Sequence, residues 1–329
     1  MVAITGANGL LGSMIARRFL QENIAVVGIK RKDSDLQLVN DIKDSIQWRE
    51  ADVCDPVSLN EVLANVHTVI HTAAMISFNP RDSKKIFKVN VEGTANVVNA
   101  CLINQVRKLI HTSSVAALGV QKGISQIDED TKWVNNPLHS VYAESKYLGE
   151  LEVARGYEEG LHTGIVNPSA ILSPGNWNQS SAKLFKYVWD EKPFFTHSYI
   201  NFVDARDVAE LILKLYKSNI SGERYIANAG NISIKQFFTE VATRLNKKAP
   251  SIAINNTLAN MAATVEGIRS FITGTEPLFT KQTLSLGREQ HFFENKKSIT
   301  EFGMQYQPLE KTLDWCCDFY LRNNTINKR

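Results

Sequence analysis

The chain begins with a short apolar run, Val2-Ala3-Ile4, and then sets Gly6, Gly9 and Gly12 at a spacing of three in the stretch TGANGLLG. A strand that ends in such a loop and passes into a helix uses one glycine for a tight turn, one to let backbone approach a phosphate, and one for close packing of helix on sheet. The helix N-terminus then offers unpaired amides and the positive end of its dipole to a pyrophosphate. A plain turn would also use glycine. Here the triplet opens a strand-helix-strand unit, and that context favours a dinucleotide with Gly6, Asn8, Gly9, Leu10, Leu11 and Gly12 as its contacts.

Downstream the pattern repeats. Short apolar runs at Ala25 to Ile29, His67 to Ala74 and Lys108 to Ser114 alternate with helical stretches at Leu10 to Asn23, Val57 to Ala64, Ser83 to Asn104 and Ser140 to Gly160. HTGIVNPSAIL, from His162 to Leu172, supplies a further strand that Pro168 ends or kinks. Such alternation predicts an α/β fold, a Rossmann-type doubly wound parallel sheet with helices on both faces. From about Gly230 the rhythm stops, with a helix from Ser233 to Asn246 and proline-marked loops. A smaller C-terminal substrate lobe is therefore expected, with residues 1–168 and 204–229 forming the dinucleotide-binding domain and 169–203 with 230–329 the lobe.

The 329 residues are 43% hydrophobic and 22% charged, enough for a large core, and the net charge of +3 arises from interleaved acids and bases. Neither a nucleic-acid partner nor a membrane surface is expected. No apolar run approaches the ~20 residues of a membrane span, and the N-terminus lacks a secretion signal, so a cytoplasmic location is expected. Cys54, Cys101, Cys316 and Cys317 form no CxxC and read as reduced thiols. The histidines show no HExxH spacing; His71 and His111 sit in strand-like runs as core residues, and no metal site is expected.

The second strand ends in VVGIKRKDSD, where an adenosine ribose would lie. An NAD site prefers an acid there, whereas Lys30 and Arg31 would neutralise a 2′-phosphate, which favours NADP. NAD remains the alternative, with Asp33 or Asp35 on the ribose. Further on, Tyr142-Ala143-Glu144-Ser145-Lys146 sets a tyrosine and a lysine one helical turn apart on one face. A phenol of ordinary pKa, about 10, is a poor base near neutrality, and a neighbouring ammonium together with a nicotinamide cation would lower it. Ser114, in HTSSVAALG at the C-terminal end of a strand, could hold a substrate carbonyl or alcohol beside Tyr142.

With these segments the chain resembles the extended short-chain dehydrogenase/reductases, the NAD-dependent epimerase/dehydratase family. The resemblance also runs through ADV, HTAA, NVEGT, NPSAILSPG and NFVDARDVA. It implies hydride transfer at a nicotinamide, with Ser114, Tyr142 and Lys146 as the catalytic set. It adds Asp52, Val53, Thr72, Ala73, Ala74, Asn90, Asn167, Pro168 and Ser169 to the cofactor contacts, with Tyr142 and Lys146 serving there too. Asn167-Pro168 stands where many members have Arg-Pro. Ile200 occupies the place of an arginine frequent in sugar-nucleotide epimerases, so the chain is more similar to the dihydroflavonol-reductase-like and 3β-hydroxysteroid-dehydrogenase-like branch.

That branch implies a small-molecule carbonyl or alcohol substrate. A nucleotide-sugar epimerase or dehydratase is the alternative reading, and a non-catalytic NADP-binding sensor a further one. The resemblance also implies a homodimer built on the helices around Asn90 to Asn104 and Tyr142 to Tyr157, with Val97, Val98, Leu148 and Val153 available to it. The apolar stripe Leu258, Met261, Val265, Ile268 and Phe271, and the aromatic residues Phe78, Trp133, Trp177 and Tyr199, are candidates to wall a substrate pocket.

Overall fold

The computed structural model describes residues 1–119, 123–136, 139–177, 181–254 and 291–326; the stripe from Leu258 to Phe271 lies outside them. The first part of the chain runs β1 (Val2–Thr5), α1 (Leu10–Gln21), β2 (Val26–Lys30), β3 (Gln47–Glu50), α2 (Pro56–Val62) and β4 (Thr68–His71). It continues through α3 (Ser83–Phe87), a π-helical turn (Lys88–Glu92), α4 (Gly93–Ile103), β5 (Lys108–Thr112), β6 (Gln126–Ile127), α5 (Val141–Glu158) and β7 (His162–Pro168). The remainder is β8 (Ala170–Leu172), α6 (Ala182–Trp189), β9 (Phe194–Thr196), β10 (Tyr199–Asp204), α7 (Ala205–Lys217), β11 (Glu223–Ala227), β12 (Gly230–Ser233), α8 (Ile234–Leu245), β13 (Ile252–Ile254), β14 (Phe292–Phe293), α9 (Lys296–Phe302) and α10 (Leu309–Ile326).

Seven strands form one parallel sheet in the order β11-β7-β5-β4-β1-β2-β3. The chain steps from β1 outward to β3 and then returns to β4 on the other side of β1, so the strand order reverses between them. An open α/β sheet carries its ligand crevice beyond the strand ends at such a point. Strands buried on both faces are largely apolar, and β1 and β4 are buried at every position, with the polar Thr5 and His71 at their C-terminal ends hydrogen-bonded to each other. One face is covered by α1 and α7, where Ile15, Phe19, Val208, Leu211 and Leu215 share a core with Ile4. The opposite face is covered by α2, α4 and α5 through Leu59, Val97, Val98 and Val153. Each such side chain contributes about 1.5–3 kcal/mol by leaving water.

A second, three-stranded sheet, β12-β10-β8, and the helices α6, α8 and α10 enclose a separate core of Phe185, Phe237, Leu313 and Tyr320. The segment HTGIVNPSAIL is split between the two sheets. β7 ends on Pro168, and Ala170 pairs instead with Phe202 of β10.

Other expected elements shift at their ends. The run His67 to Ala74 is a strand only to His71, because the Thr72 hydroxyl and amide turn onto Thr5 O at 2.6 and 3.3 Å. Lys108 to Ser114 is a strand to Thr112, since the Ser114 side chain accepts from Ala116 N (3.2 Å) and starts a tight turn. The helix expected from Ser83 to Asn104 is interrupted by the π-helical turn, which carries Asn90. β3 joins the sheet edge at a segment the alternation had not located. Val97, Val98 and Val153, expected at a dimer face, lie fully inside the protomer core.

Candidate active site

The glycine loop is shaped by contact on both sides. Gly6 has φ +69°, a left-handed conformation, and a Cβ there would stand 3.2 Å from the backbone of Ala73. A Cβ on Gly12 would fall 2.1 Å from Gly6 O, an impossible distance. Gly9 precedes α1 in extended backbone with no side-chain cap, and the first turn of the helix has no acidic residue. Its amides therefore face the crevice available to an anion. Leu10 and Leu11 follow, Leu11 buried in the core and Leu10 partly exposed. The Asn8 side chain donates to Asp35 O (3.0 Å), tying this loop to the one after β2.

That neighbouring loop borders an open cleft of about 570 Å³ lined by Arg31, Asp33, Ser34, Glu50, Asp52 and Asp55. Arg31 is exposed along it, whereas Lys30 is turned back onto Glu50 (Nζ to Oε1, 2.9 Å) and the carbonyl of Lys32 (3.2 Å). The two cations expected to act together are thus in different states. Asp52 is exposed and accepts from Cys54 N (2.8 Å), while Val53 is buried against Gly93.

At the other end, Ser140 caps α5 by accepting from Ala143 N (3.1 Å), and α5 presents Tyr142, Lys146 and Glu150 on one face. The Tyr142 phenol is held above its ordinary pKa by burial, opposed by a hydrogen bond with Ser114. The lowering expected from Lys146 is absent in the protein alone, because the ammonium is directed elsewhere. Lys146 is 1% exposed and donates to Thr112 O at 2.8 Å, with His111 Nε2 at 3.5 Å. Burial brings its own pKa down to about 8, partly offset by the Glu150 charge.

Behind these groups runs a buried polar chain. Thr5 Oγ1 lies 3.2 Å from the amides of Thr72 and Ala73 and 2.7 Å from His71 Nδ1. His71 Nε2 is 3.1 Å from Thr94 Oγ1, which donates to Asn90 O (2.7 Å). Since Thr94 spends its proton on that carbonyl, His71 is a neutral imidazole protonated on Nε2. Burial, then the Lys146 charge, lowers its pKa to about 3; His111, 5.1 Å away between ring centres, is lowered by the same causes. The Asn90 amide accepts from Met75 N (2.8 Å) and donates to Met75 O (2.9 Å) and Ser145 Oγ (2.9 Å), so it braces the loop after β4 against α5. Ala74, exposed, leads into that loop.

The strand end at Asn167-Pro168-Ser169 completes the crevice. Asn167 is fully buried, and its Nδ2 donates to Ser114 O (3.0 Å) and Glu150 Oε1 (2.5 Å). Ser169 Oγ and Thr112 Oγ1 are buried and find no hydrogen-bond partner among the described residues. A glycine cradle that any Cβ would fill, an uncapped helix start and these orphaned hydroxyls fit a dinucleotide lying along the strand ends. Glu150, Arg224, His71 and His111 were not read as part of this site. The spacing of four from Tyr142 to Lys146 to Glu150 was the one available signal for the first.

Of the aromatic candidates, Trp133 stacks on Tyr147 (4.5 Å, 6°) and Trp177 on Tyr320 (3.9 Å), while Phe78 packs edge-on against Tyr142 (6.4 Å) and stays 38% exposed. Tyr199 lies exposed on β10.

The chain is 24% identical to a putative dihydroflavonol 4-reductase of Synechocystis sp., over 94% of this chain and 91% of that one. It is 27% identical to cinnamoyl-CoA reductase 1 of Oryza sativa subsp. japonica, over 69% of this chain and 70% of the other. The crystal structure of gox2253, 28% identical, superposes with a TM-score of 0.84 over 98% of each chain. The model of the NAD dependent epimerase/dehydratase family matches residues 2–230, and with the parallel sheet and the crevice described above, it is to this family that the chain belongs.

Proposed function

We propose that the protein is an NADP-dependent dehydrogenase/reductase acting on a free carbonyl or alcohol, with Tyr142 as its acid/base. The observation that carries this is the Tyr142–Ser114 pair at the end of β5, beside a lysine whose ammonium is fixed on Thr112 O. The nicotinamide supplies or accepts the hydride when bound. Because burial keeps the phenol above its ordinary pKa, Tyr142 rests as the neutral acid, ready to give its proton to a carbonyl oxygen that Ser114 orients. Reduction is the direction this charge state favours.

Gly6, Gly9 and Gly12 hold the pyrophosphate, and Arg31 at the open cleft meets a 2′-phosphate. The loop after β4 sets Phe78, an exposed apolar ring, against the phenol, which supports a moderately apolar substrate. We divide the chain into residues 1–168 with 204–229 and residues 169–203 with 230–329, a boundary that the strand break at Pro168 supports, although Phe302, Met304 and Tyr306 pack into the core of the first unit. A homodimer on α4 and α5 would use Ile103 and Leu151, which face outward, in place of the buried valines.

The test is net oxidation of NADPH with a panel of aldehydes and ketones, run beside isomerisation of UDP-sugars. Net turnover with the carbonyl panel is expected; isomerisation without net cofactor change overturns the reading in favour of an epimerase.

A further inference from the structure

Glu150 is a carboxylate 5% exposed, in a place where an uncompensated charge would be strongly unfavourable. It sits one turn beyond Lys146 on the same helix face. Asn167 Nδ2 donates to Oε1 at 2.5 Å and Arg224 Nη1 to Oε2 at 3.4 Å. Arg224 is itself fixed by the carbonyls of Glu129 (2.7 Å) and Thr131 (3.1 Å), and the second N–H of Asn167 holds Ser114 O. One carboxylate thus joins α5, β7, β11 and the strand end that carries Ser114.

We propose that Glu150 is a positioning residue for the active site: a buried counter-charge, locked to the Ser114 strand end through Asn167, that keeps the Lys146 ammonium protonated. This rests on the function proposed above, in which Lys146 serves the cofactor. The groups that face the pair are Tyr142 on α5, His111 on β5 with His71 on β4 behind it, and Arg224 on β11. Both histidines are neutral near pH 7 because burial suppresses their protonation, so Glu150 is the anion that Lys146 feels. Burial pushes the Glu150 pKa up, and the Ser113 hydroxyl, Arg224, Asn167 and Lys146 act against it.

The Lys146 side chain can be titrated in the ligand-free protein through its ¹³Cε resonance, assigned by its loss in Lys146→Arg. Wild type is expected to titrate near pH 8, and Glu150→Gln, which keeps the size and a partner for Asn167, about one pH unit lower. Glu150→Asp, which keeps the charge, should restore most of the difference. NADPH binding, followed by fluorescence, should weaken on the alkaline side in parallel. An unchanged Lys146 midpoint in folded Glu150→Gln overturns the proposal. Should that variant fail to fold, the wild-type ¹³Cε resonance gives the answer: a second inflection in the acid range as Glu150 protonates supports the coupling, and its absence overturns it. Failure of wild type to bind either nucleotide would sink the proposed function instead, since the lysine titration needs no cofactor.

Discussion

The two ends of the crevice are built on different principles. The glycine loop is eight consecutive residues whose backbone does the work: Gly6 turns, Gly12 leaves room for Gly6 O, and α1 starts uncapped. The end proposed as catalytic gathers side chains from β5, α5, β7 and β11, and the chemistry proposed for it depends on which of them is charged. Steric fit governs the first and desolvation the second. The first should therefore fail abruptly when a single methyl is added, and the second should respond to charge and pH while keeping its shape.

The largest expected effect separates chemistry from binding. Tyr142→Phe keeps the ring and its contact with Phe78, so turnover should fall by about 10²-fold or more while NADPH affinity, read by fluorescence titration, stays near that of wild type. Near-normal turnover on a confirmed substrate would show that the helix face is structural.

Next comes the steric end. Gly12→Ala must displace Gly6 O, which should destabilise the fold by about 1–3 kcal/mol and weaken nucleotide binding at the same time. Gly9→Ala, where the nearest atom would be 3.2 Å away, should do much less. Equal melting temperatures and affinities for both variants would remove the distinction drawn between the two ends.

The buried histidines give a pH test of comparable size. His71 is neutral in the fold with a pKa near 3, against about 6.5 when unfolded, so the unfolded chain binds the extra proton between these values. Its contribution is fully present above about pH 6.5 and is lost as pH falls toward 3, at up to about 1.4 kcal/mol per pH unit. Urea unfolding at pH 7 and pH 5 should show this loss, and His71→Gln should reduce the slope. A slope identical in that variant would mean that another group carries the acid sensitivity.

The smallest expected effect lies at the adenosine end. Arg31→Ala should weaken NADPH by about tenfold, a loss in the range of one charge-assisted hydrogen bond, and leave NADH unchanged. Lys30→Ala should matter less because Glu50 already holds that ammonium. Equal losses for both nucleotides would argue that Arg31 serves the ribose or nothing at all.

Much of this was legible in local sequence. TGANGLLG, the helical stretch from Ser140 to Gly160 and the one-turn spacing of Tyr142 and Lys146 each depend on residues within a few positions of one another. The strand ends were less so. Thr72 and Ser114 stop their strands through hydrogen bonds to Thr5 and to Ala116, and Asn90 interrupts a helix while bracing Met75 across the crevice. The valines expected at a dimer face were apolar at the right period, but period alone does not tell an inner helix face from an outer one.

The sequence by itself determined the alternating sheet, the glycine loop and the candidate set Ser114, Tyr142 and Lys146 on which the proposed function rests, because turn geometry and helix periodicity act over a few residues. Only the tertiary structure decided their charge. Whether Tyr142 rests as phenol, whether Lys146 stays protonated and whether Lys30 is free for a phosphate depend on burial and on partners brought from distant strands: Ser114, Glu150 with Asn167 and Arg224, and Glu50. Electrostatic energies inside a protein are set by distance and desolvation, and neither quantity exists until the chain has folded.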